Sequence, residues 1–480
     1  MSKKEQEGIT AKKEENFSEW FTQLVLKTDL ADYTKVSGCI VLKPLSYSIW
    51  EKLVNIIDKD FKKEGLQNAY FPLFIPEGVL SKEQQHFKGF TPEVAWVTHA
   101  GNSKLNEKLA IRPTSETIIY ETIKKWIRSY KDLPLRLNLW NNVVRWEFKH
   151  PVPFFRTREF LWNEGHTIFA SQKQAENEGK RILKIYGNFL KNYMALPFLL
   201  GRKTDKEKFA GAIYTDSLEL YLPNGKAIQG PDFHHDGQNF ARAYDLKFTD
   251  KNEKKQYVWQ NTFAITTRML GIMFAIHSDN KGLVLPPKLA PNKIIIIPIN
   301  FQENEKILKK AREIKKQLSS LNPILDERSE VTPGYKFNEW ELKGIPLRIE
   351  IGPKDLDKKQ VIFVNRTNNN KTPIKFANIK KQAKQELENI QGTLYINAEK
   401  NLNKNLEKSE DLEDAIKKIK NRKIVLVPLS NSPEVEDILK EKTNGAKTLN
   451  RPHKQPQIKN KKCIITRKQA DYWVYIARSY

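Results

Sequence analysis

Charged and aromatic residues are concentrated between Arg145 and His166. An apolar run ends at Arg145 and Glu147, a proline-containing loop follows, and a second apolar run starts near Phe160. This pattern predicts two antiparallel strands joined by a loop. Because alternate residues of a strand face the same side, the hairpin would form one polar and aromatic wall of a pocket. The residues of that wall would be Arg145, Glu147, Phe160, Trp162 and Glu164. A guanidinium held there is a planar, permanently charged partner for phosphate oxygens, which a lysine would serve less well.

Two other segments put polar residues where helices begin. The segment from Arg112 to Thr117 precedes a helical pattern, and Ser or Thr followed by Glu commonly caps such a helix. Farther along, NTFAITTRMLGIMFAIH changes from a strand-like into an apolar helical pattern, with Thr266 and Arg268 at the junction. A helix cap and a surface salt bridge are the simplest interpretations of these residues.

Two adjacent histidines, His234 and His235, follow Gln229 on a predicted strand. A metal site is one interpretation of the pair. Neighbouring side chains on a strand point to opposite faces, however, and no third soft ligand is close in sequence. We therefore predict no zinc at this position.

These segments resemble motifs 2 and 3 of the class II aminoacyl-tRNA synthetases. IWEKLVNIIDKDFKKEGLQNAYFPLFIP is similar to motif 1, a long helix followed by a strand with a proline, here Pro72. RPTSE resembles a segment shared by the prolyl, threonyl and seryl enzymes, whereas WNEGH and GRKTDKEKFAGA resemble segments of the prolyl branch. By this resemblance the chain is identified as a member of the prolyl-tRNA synthetase family. The resemblance implies activation of L-proline with ATP, transfer to tRNA(Pro), Mg²⁺ bound with ATP, and a homodimer.

The resemblance also implies roles for individual residues. Arg145 would contact the α-phosphate and the proline carboxylate, and Arg268 the γ-phosphate, which makes both catalytic through fixed positive charge. The implied imino-acid site comprises Thr114, Glu116, Arg145, Trp162, Glu164, His166, Phe209 and His234. The implied ATP site comprises Arg145, Glu147, Arg156, Thr157, Phe160, Gln229, Asp232, Thr266 and Arg268, with Gln229 also implied for Mg²⁺.

The chemistry of proline explains the residue types implied for its site. A secondary ammonium has two N–H donors, which the Thr114 hydroxyl and an ionised Glu116 carboxylate can satisfy. The ring offers only methylenes and shape, so a small apolar slot is needed, and Trp162, His166 and Phe209 are the candidates for it.

The sequence departs from the family at one motif. The family usually has Gln-Gly-x-Thr-Ser-His, whereas here Pro231, Asp232 and Phe233 occupy the three positions before His234. Asp232 in place of Thr turns a neutral donor into a carboxylate, and its role stays open. A loop that covers the pocket in the prolyl enzymes is matched by Phe90, Glu93 and Val94. Packing is an equal explanation for each of those three residues.

Composition divides the chain into three predicted domains, residues 1–290, 291–391 and 392–480. PPKLAPNK is a hinge, and IIIIPI after it is typical of a buried strand. Helical and strand-like segments then alternate, and KIVLVPLS predicts a buried strand in the third domain. The predicted fold class is α/β: a class II antiparallel sheet flanked by helices, an α/β anticodon-binding domain and a small α/β C-terminal domain.

The second and third domains resemble those of the same family. GYKFNEWELKGIPLRIEIGPKD is similar to the anticodon-binding domain, with Arg and Glu suited to the edges of unstacked bases. The candidate anticodon contacts are Glu339, Arg348, Glu350 and Lys354. A strand with outward charges is the alternative. At the C-terminus, Tyr480 matches a final tyrosine that packs toward the catalytic domain, and only Cys463 of four zinc cysteines remains, so we predict no zinc.

Composition constrains partners and compartment. Lys and Arg number 82 against 57 Asp and Glu, a formal charge of +25, which favours a nucleic-acid partner. A general abundance of Lys, Asn and Ile accounts for part of that excess. No apolar run is long enough to cross a membrane and no secretory signal is present, so a cytoplasmic protein is predicted.

Two other functions stay open on the sequence alone. One is a synthetase for threonine, serine or glycine, although the zinc-bound pocket of the threonine enzymes has no visible ligands here. The other is a tRNA-binding relative without catalysis, which would be expected to lose Arg145, Glu116 or Arg268. All three residues are present. Arg145 and Arg268 also lie too close in sequence for the long editing insertion of the bacterial type, so editing of mischarged alanine in cis is predicted to be absent.

Overall fold

A computed structural model of the protein describes residues 8–86, 93–147 and 150–480, with the backbone alone for residues 82–86. Phe90 of the predicted covering loop lies outside these residues. The three largest described sheets have eight, five and four strands. We refer to the elements around them as the N-terminal, middle and C-terminal units.

The N-terminal unit is built on the eight-stranded sheet. Its helices are α1 (Phe17–Lys27), α2 (Pro44–Lys63), α3 (Glu77–His86), α4 (Glu116–Ile123), α5 (Gln172–Asn192), α6 (Asn239–Ala243) and α7 (Arg268–His277). Its strands are β1 (Ala31–Tyr33), β2 (Ile40–Leu42), β3 (Gln67–Asn68), β4 (Phe74–Pro76), β5 (Trp96–Ala100), β6 (Ser103–Ile111), β7 (Leu135–Val144), β8 (Glu159–Phe169), β9 (Leu199–Arg202), β10 (Tyr214–Tyr221), β11 (Ala227–Gly237), β12 (Lys247–Thr249), β13 (Lys255–Tyr257) and β14 (Trp259–Thr266). The order β9-β10-β11-β14-β8-β7 is antiparallel throughout, and β3 joins β7 in parallel at one edge.

Strand alternation gives this sheet one polar and one apolar face. Thr262 of β14 pairs with His166 of β8 and with His234 of β11, so the three side chains lie in one row. The intervening residues Phe233 and Phe263 point the other way, into a core shared with α2 and α5. A Cβ on Gly165 would lie only 2.0 Å from the Phe263 ring, which explains the glycine of WNEGH.

The middle unit follows the hinge. Its elements are β15 (Ile294–Pro298), α8 (Glu305–Gln317), β16 (Pro323–Leu325), α9 (Pro333–Leu342), β17 (Leu347–Ile351), α10 (Pro353–Asp357), β18 (Gln360–Asn365), β19 (Lys371–Lys375) and α11 (Ile379–Lys404). β15 pairs in parallel with β16 and β17, whereas β17, β18 and β19 are antiparallel, so the sheet is mixed. The isoleucines of β15 are all fully buried, which is usual for a strand covered on both faces.

The C-terminal unit contains the four-stranded sheet β20-β21-β24-β22. Its elements are β20 (Leu406–Lys408), α12 (Leu412–Lys420), β21 (Ile424–Leu429), α13 (Pro433–Lys442), β22 (Ala446–Thr448), β23 (Arg451–Pro452) and β24 (Tyr472–Arg478). β23 leaves this sheet and pairs with β9, so the C-terminal unit supplies an edge strand of the N-terminal sheet. α11 runs unbroken through residue 391, and the domain bounds therefore stay a prediction.

An ion pair between buried Arg366 and half-exposed Asp279 joins the N-terminal and middle units. Arg366, after β18, is 4% exposed, and its two terminal nitrogens donate to the two carboxylate oxygens of Asp279 at 2.8 Å each. Its Nε also donates to the Glu341 carbonyl at 3.0 Å. Asp279 closely follows α7, the helix that begins with Arg268.

Replacing Asp279 by alanine is expected to destabilise this junction by about 2–3 kcal/mol, because the buried Arg366 guanidinium would lose its carboxylate. Differential scanning calorimetry measures the effect, and Glu313→Ala, which removes the exposed surface ion pair with Lys310, is the matched control. Adding Arg366→Met to Asp279→Ala should restore part of the lost stability. An Asp279→Ala protein that melts like the wild type would contradict this reading.

The predicted α/β class and the antiparallel sheet of the first domain are confirmed. Motif 1 differs in detail: α2 is the long helix, but Pro72 lies in the connection between β3 and β4 instead of in a strand. Within the described parts of the chain, no helix is both long enough and apolar enough to span a bilayer.

Candidate active site

The polar face of the N-terminal sheet forms the floor of a cavity of about 490 Å³, a volume typical of small-molecule sites. Strands β8, β10, β11 and β14 contribute the floor, and the start of α4 and the loop after β9 contribute the sides. Most residues implied by the resemblance line this cavity. They are Thr114, Glu116, Arg145, Glu147, Thr157, Phe160, Trp162, Glu164, Phe209, Gln229, Asp232, His234, Thr266 and Arg268.

Two guanidinium groups lie at one end of the cavity. Arg145 directly follows β7, and its guanidinium carbon lies 5.6 Å from the Phe160 ring centroid and 5.3 Å from that of Trp162. Its Nε donates to the Pro113 carbonyl at 2.9 Å. Arg268 is the first residue of α7, and its Nε donates to the Phe155 carbonyl at 3.2 Å.

The two arginines act on each other. Burial and then the charge of Arg145 lower the pKa of Arg268, while Asp232 and Glu219 oppose that shift. Because both guanidiniums are oriented by carbonyl groups, their charges are not neutralised where they face the cavity. This end of the cavity is therefore suited to a polyanion such as a triphosphate.

Two buried carboxylates line another part of the cavity, called the acid end below. The Thr114 hydroxyl is 3.0 Å from Glu164 Oε1 and also contacts Glu116 Oε2. The Ser115 N–H donates to Glu164 Oε1 at 2.7 Å, whereas Oε2 of Glu164 has no partner among the described residues. Glu116 and Glu164 are 5% and 3% exposed.

These carboxyl groups have opposite pKa shifts. Burial, and then the charge of Glu164, raise the pKa of Glu116. Burial alone would raise the pKa of Glu164 too, but His166 and Ser115 hold it below its usual range. A buried acid pair with one hydroxyl between them is stabilised by a small cation that has two N–H donors.

Phe209, Gln229, Asp232 and His234 line the rest of the cavity. The ring centroids of Phe209 and His234 are 4.9 Å apart, and the Thr215 hydroxyl lies 2.8 Å from His234 Nδ1. Gln229 Nε2 donates to Asp232 Oδ2 at 2.7 Å, and His234 Nε2 lies 3.5 Å from the same oxygen. Burial lowers the pKa of His234, partly offset by Asp232, so a neutral imidazole is favoured there.

Comparison with known proteins agrees with this arrangement. Family models match a tRNA synthetase class II core domain (G, H, P, S and T) over residues 96–277, an anticodon binding domain over 293–386, and the prolyl-tRNA synthetase C-terminal domain over 412–480. The chain is 42% identical to "Proline--tRNA ligase, cytoplasmic" of Arabidopsis thaliana over 98% of its own length and 91% of that protein. It is 43% identical to "Proline--tRNA ligase" of Ruminiclostridium cellulolyticum over 100% of its own length and 99% of the relative. The chain belongs to the prolyl-tRNA synthetase family.

A further relative is "Bifunctional glutamate/proline--tRNA ligase" of Cricetulus griseus, 41% identical over 98% of this chain, which spans 33% of that longer protein. Membership of the prolyl-tRNA synthetase family separates the chain from the threonine, serine and glycine enzymes that the sequence left open.

Two residues of the implied prolyl-tRNA synthetase site lie outside the cavity lining. His166 is fully buried behind Glu164, with Nε2 3.2 Å from Glu164 Oε1 and Nδ1 3.2 Å from the Tyr120 hydroxyl. Arg156 lies beside Tyr480, its guanidinium carbon 5.7 Å from that ring centroid. Tyr480 in turn packs on Phe155 at a centroid distance of 4.8 Å, as predicted for the final tyrosine.

The second histidine faces away from the site. His235 Nδ1 lies 2.8 Å from Asn261 Oδ1, and its ring stacks on Trp259 beneath the sheet. Burial lowers the pKa of His235. Across the described chain, no three His, Cys, Asp or Glu side chains converge as metal ligands would.

Three of the four candidate anticodon residues of this synthetase family are in ion pairs within the protein. Arg348 Nε donates to Glu350 Oε1 at 2.9 Å, beneath the ring of Phe337 at 4.5 Å from its centroid. Glu339 bonds Arg328 and Lys343, whereas Lys354 is exposed on α10. Only Lys354 is therefore free of a protein ion pair within these four residues.

Sequence reasoning missed several polar residues of the site. Lys203, Lys208 and Thr215 line the cavity, and Lys203 Nζ donates to Glu219 Oε1 at 2.6 Å. The alternation of polar residues in the strand segment YTDSLELY is the signal that could have identified Thr215. Asp236, at a bulge in β11, is fully buried, and neither of its carboxylate oxygens accepts a hydrogen bond from the described residues.

We expect Asp236→Asn to stabilise the protein at neutral pH. Burial, and then the charge of Glu116, raise the pKa of Asp236 well above its usual range. Above about pH 4 the unfolded chain loses the Asp236 proton, whereas the folded chain keeps it until the pH reaches the raised pKa. The free energy of unfolding therefore falls as pH rises between these two pKa values. The variant should melt about 2–4 °C above the wild type at pH 8 and closer to it at pH 5. If a thermal-shift series gave the same difference in melting temperature between variant and wild type at pH 5 and pH 8, the raised pKa of Asp236 would be contradicted.

Proposed function

We propose that this cavity activates L-proline with ATP and that the enzyme then transfers the prolyl group to tRNA(Pro). One observation carries the proposal: two fixed guanidiniums and a buried acid pair line the same small cavity. An amino-acid adenylate has the same division of charge, with phosphate at one end and an ammonium at the other.

The acid end would hold the imino group of proline. A prolinium N–H pair can donate to Glu116 and to the unpartnered Oε2 of Glu164, with the Thr114 hydroxyl orienting both carboxylates. Phe209 and Trp162 would enclose the ring, and His234, held neutral, adds no competing positive charge. His166 would act through Glu164 instead of touching the ring.

The arginine end would hold the nucleotide. Arg145 is placed to bind the α-phosphate and the proline carboxylate together, and Arg268 the γ-phosphate, with Thr266 at its side. Phe160 would stack on adenine, while Glu147 and Thr157 would complete the ATP contacts of the motif 2 loop. Arg156 would join them only after turning away from Tyr480. The oxygen atoms of Gln229 and Asp232 are hard ligands at this end and fit Mg²⁺. When bound with ATP, Mg²⁺ neutralises phosphate charge.

In this reaction a proline carboxylate oxygen forms a bond to the α-phosphorus as the bond to pyrophosphate breaks. The carboxylate is already ionised, so no side chain has to remove a proton. The contribution of Arg145 and Arg268 is alignment of the two substrates and stabilisation of charge at the pentavalent phosphorus.

The proposed function also includes tRNA binding by the middle unit and assembly of the enzyme. The middle unit would bind the anticodon, with Lys354 available directly and Arg348, Glu350 and Glu339 after release from their ion pairs. Domain bounds of 1–290, 291–391 and 392–480 are retained, as are a homodimer formed through motif 1 and a cytoplasmic location.

Amino-acid-dependent exchange of pyrophosphate into ATP tests the proposal. Proline should stimulate exchange, threonine and glycine should not, and addition of tRNA(Pro) should yield prolyl-tRNA. Exchange driven by threonine, or no exchange with any amino acid, would overturn it.

A further inference from the structure

A loop of residues 203–209 lies between β9 and β10, with the cavity on one side and the C-terminal unit on the other. Lys203, Glu207, Lys208 and Phe209 line the cavity. The Phe209 N–H donates to the Thr215 hydroxyl at 3.0 Å, and the same hydroxyl contacts His234. The end of this loop therefore shapes the part of the cavity in which the proline ring would lie.

The outer side of the loop is held by residues 431–451. Five consecutive loop residues each contact this stretch. The Lys203 carbonyl accepts from Arg451 Nη2 at 3.2 Å, and the Thr204 hydroxyl donates to Glu436 Oε2 at 3.1 Å. Asp205 Oδ2 accepts from Asn431 Nδ2 at 2.8 Å, Lys206 forms an ion pair with Asp437, and Glu207 Oε1 lies 3.9 Å from Lys447 Nζ. So continuous a set of contacts restrains the backbone of the whole loop.

Glu436 is the buried member of this set. It lies on α13 at 6% exposure, facing Thr204, which is fully buried. The Thr448 hydroxyl donates to the same carboxylate oxygen as Thr204. Glu434 and Glu441 of the same helix are exposed. A carboxylate placed inside the unit with two hydroxyl donors is far more constrained than its neighbours.

Thr204 links this carboxylate to the cavity. Its hydroxyl accepts the Glu207 N–H at 3.3 Å, and its carbonyl accepts the Lys208 N–H at 2.9 Å. The two bonds close a turn that ends one residue before Phe209. Moving Thr204 would therefore move Phe209 along the wall of the cavity.

We propose that Glu436 is a positioning residue for the imino-acid site, because it fixes Thr204 and, through the turn of residues 204–208, the place of Phe209. The proposal rests on the function proposed above. It makes a residue of the C-terminal unit that does not line the cavity a determinant of proline affinity.

Steady-state pyrophosphate exchange on the full-length enzyme tests this. Glu436→Ala should raise KM for proline about tenfold while KM for ATP changes less than about twofold, because the residue that would shift, Phe209, borders the proposed imino-acid site. Glu436→Gln keeps an acceptor for both hydroxyls and should restore KM to within about threefold of wild type. Glu441→Ala, an exposed glutamate of the same helix, is the matched control.

Thr204→Val supplies an independent arm that leaves Glu436 in place. It should reproduce the proline-specific rise in KM, and the double variant Thr204→Val/Glu436→Ala should be no worse than the poorer single variant, since both break one connection. This arm also decides the question if Glu436→Ala does not fold. An unchanged KM for proline in a folded Thr204→Val enzyme, or equal changes in KM for both substrates, would overturn the proposal. Absence of proline-dependent exchange in the wild type would instead overturn the proposed function.

Discussion

Arg145→Ala is expected to reduce the rate of prolyl-adenylate formation by at least about a hundredfold, as loss of a fixed charge at the reacting phosphate does elsewhere. The guanidinium lies between two aromatic rings and is tethered by the Pro113 carbonyl, so its orientation exists before any substrate binds. Single-turnover formation of the adenylate, followed by rapid quench, measures the effect.

Two variants make this result specific. Arg145→Lys keeps the charge but not the planar pair of donors, and should recover only part of the lost rate. Arg158→Ala removes an arginine of the same hairpin whose guanidinium stacks on Trp146 at 4.2 Å, and should stay within about threefold of the wild type. Near-normal turnover in Arg145→Ala would remove Arg145 from the mechanism.

Glu116→Gln is expected to raise KM for proline about a hundredfold with little change in KM for ATP, because a charged hydrogen bond to the imino group is lost in a buried site. Equilibrium binding of proline to the ATP-free enzyme measures the same loss without catalysis. Glu121→Gln, an exposed glutamate on the same helix, serves as the control.

The same residue predicts a pH dependence. Since burial and Glu164 raise the pKa of Glu116, the free enzyme takes up a proton there above the ordinary glutamate value of about 4.3. Protonated Glu116 cannot accept both charge and hydrogen bond from prolinium, so kcat/KM for proline should fall as pH decreases through that raised value. The acidic limb should be absent in Glu116→Gln. A limb that persists in the variant would assign the titration to another group.

Strand periodicity accounts for what the sequence could predict about the site. Arg145, Phe160, Trp162 and Glu164 were placed on one wall from alternation alone, and the structure brings them to one cavity. Arg268 was placed at the front of a helix because the apolar period changes there, and α7 begins at that residue.

Strand alternation could not predict how deeply a side chain is buried or which residues distant in sequence contact it. His166 lies two residues after Glu164 on the same strand and therefore faces the same side of the sheet, but Tyr120 of α4 packs over it. No local sequence pattern predicts this contact. Asp236 follows a shift of register between His235 and Gly237, where alternation stops being informative. The partners of Thr204 lie more than two hundred positions away, so their pairing arises only from the tertiary fold.

The strand β23 has a consequence for how the protein is made. Arg451 and Pro452 form the edge strand of the N-terminal sheet beside Gly201, where a Cβ would collide with the Arg451 carbonyl. Because these residues are near the C-terminus, β9 has no partner on that side until almost the whole chain has been synthesised. Nascent or truncated chains expose unpaired backbone groups of β9 during this time, and such edges recruit foreign strands. Fragments cut before residue 451 are therefore expected to aggregate more readily than the full-length chain.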